Sequence, residues 1–256
     1  MHGSSRYGQK WCRDELILAL ELYCRIPFSR TKASNPRVRR VASAIGRTPA
    51  SVARKLGNFG AFDPELKKRK ITGLGHGSKL DQAIWTEFND DWSELVSQAE
   101  AIRLRLKFFD EPDTVWEPPS GPSERPGTRK QRLHQSFFRD AVLSSYVGRC
   151  AVTGISIGEC LVASHIVPWS ESVETRANPM NGICLSATID CLFDRGLLTF
   201  RDDLTVALSP KITTIKEEPV QSLVACYDNR PMLRPERFLP DRDFLAWHRE
   251  HRFHST

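Results

Sequence analysis

The stretch LVASHIVPW, residues 161–169, puts one histidine, His165, at the end of an apolar run that reads as a buried strand. A loop then brings Asn181 in NPMNG, and the next helical passage carries Asp190 and Asp194 in TIDCLFDRG. An i, i+4 spacing on a helix sets two carboxylates on one face, about one turn apart. A base near neutral pKa, an amide able to tie a loop, and hard oxygen donors for a cation are what water-driven hydrolysis of a phosphodiester requires. Singly, these residues have blander uses. A histidine in an apolar strand is commonly a hydrogen-bonded core residue, asparagine before glycine makes turns, and Asp194 has Arg195 beside it. Their order and spacing change that reading.

The ordered set CAVTG, LVASHIVPW, RANPMNGICLSATIDCLFDRGLLTF, running from Cys150 to Arg201, resembles the HNH nuclease family in the branch common among restriction endonucleases. The resemblance implies a ββα-metal finger: two strands, a loop and a helix around one divalent ion. It implies His165 as general base and Asn181 as the residue that braces the loop and the base. The helix position that often reads histidine in this family is Asp190 here, a hard ligand suited to Mg²⁺ or Mn²⁺. The residue before the base, often acidic in the family, is Ser164. Asp194, or a water held by Ser164, then completes the ligand set of one divalent ion per active site.

The elements that must position this set are legible in the pattern. A helix over RLHQSFFRDAVLSSYVGRC precedes the two strands, and LTFRDDLTVALS reads as a closing hairpin. The tail, residues 229–256, reads as an extended arm ending in a short amphipathic helix. The fold class expected is α+β, with a nuclease domain over 130–256, a Pro-rich linker over 110–129 and a helical DNA-recognition domain over 1–109.

In that first part, WCRDELILALELYCRI repeats apolar residues at helical spacing, with Asp14 and Glu15 near its start. RVRRVASAIGRTPASVARKLGNF reads as two helices joined at Gly46, with Thr48 as N-cap and Pro49 in first position, a helix-turn-helix shape. DQAIWTEFNDDWSELVSQAEAIRLRL is again helical, with Ile84, Trp85, Phe88, Trp92 and Leu95 inward. From Arg30 to Lys70 there are twelve Lys/Arg against Asp63 and Glu65, the electrostatic footprint of a polyanion binder. Arg47, Ser51, Arg54, Lys55 and Asn58 are candidates to read bases, and Lys67, Lys68, Arg69 and Lys70 to contact phosphates of double-stranded DNA. Trp11, Tyr23, Phe59, Phe62, Trp85 and Trp92 are core residues or the walls of a modified-base pocket.

A DNA-reading domain joined to such a finger resembles a restriction enzyme, sequence-specific or dependent on modified cytosine, with the family branch leaning to the latter. Cutting both strands calls for two sites and hence a homodimer. Two rivals stay open: a non-catalytic DNA-binding protein with a degenerate finger, and a structural Zn²⁺ module on Cys150, Cys160, Cys184 and Cys191. The balance of 40% hydrophobic and 27% charged residues is that of a globular chain, not a disordered one. Seven cysteines with no CxxC pair argue against a disulfide framework and for a cytoplasmic setting. No apolar run reaches membrane length.

Overall fold

The computed structural model describes residues 8–71, 73, 77–108 and 129–255. The Pro-rich linker expected over 110–129 lies, except for Arg129, outside the described residues. The chain divides into two compact units, Met1–Asp140 and Ala141–Thr256. The architecture is α+β: helices make up the first unit, and the second holds two small antiparallel sheets among helices. No helix among the described residues is long and apolar enough to cross a membrane.

In the first unit α1 (Arg13–Arg25) is buried on every side from Glu15 to Cys24, the pattern of a central helix. Around it pack α2 (Pro36–Ala44) and α3 (Pro49–Gly60); the short α4 (Pro64–Lys68) comes next in the chain. Both α2 and α3 start as their sequences dictate. Asn35 accepts a hydrogen bond from Arg37 N–H, Thr48 accepts one from Ser51 N–H, and each helix has proline in its first turn. Gly46, at φ 68°, makes the turn between them. The segment expected as one helical stretch is two helices, α5 (Lys79–Asn89) and α6 (Trp92–Leu106), because Asp91 caps the second through Glu94 N–H. Both pack on α1. Ile84, Phe88, Trp92 and Leu95 are buried as expected. Trp85 is half-buried, against Tyr23, Phe59 and Phe62.

α7 (Arg129–Ser145) contains the division between the units. The second unit continues with β1 (Leu161–His165) and β2 (Gly182–Ser186), antiparallel with His165 opposite Gly182 and Leu161 opposite Ser186. α8 (Ala187–Asp194) leaves β2 directly and packs on both strands. The expected hairpin is β3 (Leu198–Phe200) with β4 (Val206–Leu208). Two short helices, α9 (Pro210–Thr213) and α10 (Glu218–Leu223), and α11 (Arg242–His251) complete the unit, and α11 lies on β3. Ile183, Leu185, Ile189, Phe193, Leu198, Phe200 and Leu245 form the core between these elements.

A buried charge cluster ties the first unit together. Glu21, 1% exposed, pairs with Arg25 one turn on and with Arg103 of α6. Burial raises its pKa, but the Arg103 and Arg25 guanidiniums outweigh burial and hold the carboxyl at about 2. With the folded value depressed from 4.5 to about 2, this pairing stabilises the unit fully above pH 4.5 and is lost as pH falls toward 2. The shift corresponds to roughly 3 kcal/mol. Glu21→Gln, which takes the carboxylate from the buried Arg103 guanidinium while Arg25 keeps Asp140, is expected to cost about 3 kcal/mol in urea unfolding at pH 7. The wild-type advantage should shrink as the titration is repeated at lower pH; a pH-independent difference would contradict this account.

Candidate active site

His165 closes β1, and a loop then returns the chain to Asn181 just ahead of β2. Asn181 is fully buried. Its Oδ1 accepts from Val167 N–H (2.8 Å), while its Nδ2 donates to Val167 O (3.0 Å) and reaches Thr175 O (3.4 Å) and Thr175 Oγ1 (3.3 Å). Ile166 N–H donates to the Asn181 carbonyl as well (2.9 Å). One side chain thus joins both ends of the loop and its middle. The Arg176 guanidinium stacks over Trp169 and donates to Trp169 O (2.9 Å), and the edge of Trp169 meets the His165 ring. The Arg176 carbonyl lies 3.1 Å from His165 Nε2. A carbonyl only accepts, so Nε2 carries the hydrogen and Nδ1 is the basic nitrogen of the neutral ring.

Burial lowers the His165 pKa to about 4, against the small opposing pull of the Arg176 carbonyl. This is below the near-neutral value that the sequence suggested, because the end of a buried strand is drier than the strand pattern alone reveals. The ring is therefore uncharged at neutral pH. On α8, Asp190 and Asp194 fall one turn apart. Burial and the neighbouring charge of Asp190 raise Asp194 to about 6, with Arg252 acting the other way. Burial also raises Asp190, and Ser164 opposes it. The Ser164 hydroxyl itself is buried with no partner in good hydrogen-bonding geometry.

An open cavity of about 190 Å³ is lined by His165, Ile166, Pro168, Asp194, His248 and Arg252. Of the residues expected here, His165 and Asp194 line it; Asp190, Ser164 and Asn181 do not. His248 and Arg252 escaped the sequence reading. Their signal was the i, i+4 pairing of histidine and arginine in AWHREHR, visible but remote from the motif. The donor set fits a hard divalent ion: two partly buried carboxylates repelling each other, and a buried hydroxyl beside one of them. Among the described residues no three His, Cys, Asp or Glu side chains form a ready-made cage. Water and phosphate oxygens would complete the shell, as is usual for Mg²⁺. The four cysteines of the zinc alternative are split, Cys150 and Cys184 buried, Cys160 and Cys191 exposed.

In the first unit three of the candidates for base reading, Arg47, Lys55 and Asn58, turn inward. Arg47 pairs with buried Glu15 (2.8 Å), donates to the carbonyls of Gln9 and Lys10, and stacks over Trp11. Lys55 grips both oxygens of buried Asp81 at 2.9 Å, and Asn58 is buried. Ser51 is half-buried in the first turn of α3, where its backbone N–H serves the Thr48 cap. Arg54, Lys67, Lys68, Arg69 and Lys70 are exposed, with Lys68 paired to Glu65. Tyr23, Phe59 and Trp92 are core.

Two antiparallel strands, a pinned loop and a helix thus gather about His165, with Asp194 on the same cavity. The HNH endonuclease family model matches residues 150–201, and the chain carries an HNH endonuclease domain there. A solved structure, "Modification dependent TagI restriction endonuclease", is similar at 23% identity and a TM-score of 0.34 over 44% of this chain. The match covers 36% of that chain, so this protein spans only part of its length. No curated protein matches the sequence.

Asn181→Ala leaves the buried Val167 N–H without its acceptor, a loss of about 1–3 kcal/mol. Urea unfolding should show that loss, and Asn181→Asp, which keeps the acceptor but sets a second acceptor against the Val167 and Thr175 carbonyls, should not recover it. Equal stabilities for the alanine variant and the parent would refute the bracing role of this side chain.

Proposed function

We propose that this protein is a DNA endonuclease of the restriction type, hydrolysing phosphodiester bonds with one divalent ion, Mg²⁺ or Mn²⁺, at each active site. The observation that carries the reading is the cavity shared by uncharged His165 and the Asp194 carboxylate within the HNH-matching segment. His165 Nδ1 takes a proton from water. The water oxygen bonds to phosphorus as the bond to the 3′ oxygen breaks, and the departing oxygen gains a proton from solvent. The Arg176 carbonyl fixes the ring, and Asn181 fixes the loop that bears this carbonyl. Asp190 and Asp194, beside Ser164, would hold the divalent ion, which when bound supplies positive charge at the phosphate and leaving oxygen.

The helical first unit is the proposed DNA-binding part, with α2, the Gly46 turn and α3 as its helix-turn-helix. Exposed Arg54 and the run from Lys67 to Lys70 suit phosphate contacts, which position without specifying sequence. We further propose dependence on modified cytosine, on the family branch. Within the aromatic cluster, half-buried Phe62 and Trp85 are the residues on which a base pocket would be built. A homodimer with two cutting sites and a cytoplasmic setting complete the proposal; the setting is supported by seven cysteines that are all thiols.

The test is plasmid cleavage with matched unmodified and cytosine-methylated DNA in Mg²⁺ or Mn²⁺. Cutting of the methylated plasmid is expected, with none in EDTA. His165→Ala should lower the rate by at least about 100-fold, the usual scale for a general base, while DNA binding persists. Undiminished cutting by that variant would overturn the assignment. Light scattering with DNA should report a dimer; a monomer would remove that part.

A further inference from the structure

α11 lies well beyond residues 150–201, yet two of the six residues lining the cavity, His248 and Arg252, come from its last turn and its C-cap. His248 is not a second base. It is buried, its Nε2 lies 3.1 Å from the Phe193 carbonyl, and its Nδ1 lies 2.9 Å from Thr199 Oγ1. Its ring stacks flat on Phe193, with centroids 3.8 Å apart. Both nitrogens are engaged, which leaves none to accept a proton from water. The consequence is mechanical: the last turn of α11 is pinned to α8 and β3.

Arg252 comes one turn later, with its N–H donating to His248 O (3.0 Å). Its backbone is gripped from the other side too. Gly196, at φ 66°, lets the Arg252 carbonyl approach so closely that a Cβ there would come within 1.8 Å of it. His254 N–H donates to the Gly196 carbonyl (2.9 Å). The guanidinium, by contrast, is loosely held. Glu171, its ion-pair neighbour, is 3.9 Å away, beyond hydrogen-bonding distance, and the two side chains are 40% and 50% exposed, while the Arg252 charge also reaches Asp194. Such a pair costs little to break. Among the lining residues Arg252 is the one permanent cation, in the same cavity as the base.

In-line attack on a phosphodiester adds negative charge to the non-bridging oxygens, and a guanidinium fork matches two of them. We propose that Arg252 contacts the scissile phosphate and stabilises this charge, and that DNA displaces Glu171 from it. The inference rests on the nuclease reading above, and assigns a catalytic residue outside the matched segment.

The experiment compares full-length parent, Arg252→Ala, Arg252→Lys and Glu171→Gln on a plasmid the parent cuts, beside His165→Ala. Arg252→Ala should slow single-turnover cleavage by about 100- to 1,000-fold, the scale of losing one donor to a transition-state oxyanion. Its Tm should stay at the parent value, and Arg252→Lys should fall between. Millimolar guanidinium should restore part of the cutting to Arg252→Ala and none to His165→Ala. Glu171→Gln should cut at least as fast as the parent, with a lower KM. In EDTA, where no cutting occurs, Arg252→Ala should reduce the salt slope of DNA binding by about 0.9, one phosphate contact. Cleavage by Arg252→Ala within threefold of the parent, or a slow variant with lowered Tm and no guanidinium rescue, overturns the assignment of Arg252 alone. A parent that cuts nothing overturns the nuclease reading, and this inference with it.

Discussion

Everything in the second unit that bears on chemistry hangs on one buried amide. The loop leaving β1 has no sheet partner of its own, so its backbone polar groups need satisfaction from within. Asn181 supplies it, accepting from Val167 and donating back to Val167 and toward Thr175. With the loop fixed, the Arg176 carbonyl is fixed, and with it the tautomer of His165. A ring presented by a strand end is thus steered by a backbone carbonyl held in a pinned loop.

Burial then sets the charges. It pushes the histidine down and the two aspartates up, so the site favours neutrality on both sides. In the first unit burial has the opposite outcome, because guanidiniums are close enough to win at Glu21. Glu21, Glu15 and Asp81 are paired inside the fold, and the basic residues that neutralise them are spent on architecture.

That difference explains what could be read from the chain. Helix starts are legible, since Thr48–Pro49 and Asn35–Pro36 act through adjacent backbone groups. So are β1, β2, α8 and the β3–β4 hairpin, whose patterns are short and local. The inward turn of Arg47 and Lys55 is not, because Glu15 and Asp81 are distant in sequence and helical periodicity says nothing about an ion pair across elements. Basic residues on a helix look like a DNA face in the sequence, whereas part of that charge is internal in the fold. His248 and Arg252 are hidden for the same reason: their meaning comes from α8 and β3, and no local pattern announces such packing.

The pinning of α11 by His248 has a consequence for how the molecule comes into being. The strands, loop and α8 are synthesised long before the turn that walls off their cavity, since Phe193 and Thr199 must wait for a ring that arrives with residue 248. A nascent chain therefore displays the histidine and the carboxylates without the enclosure or its cation.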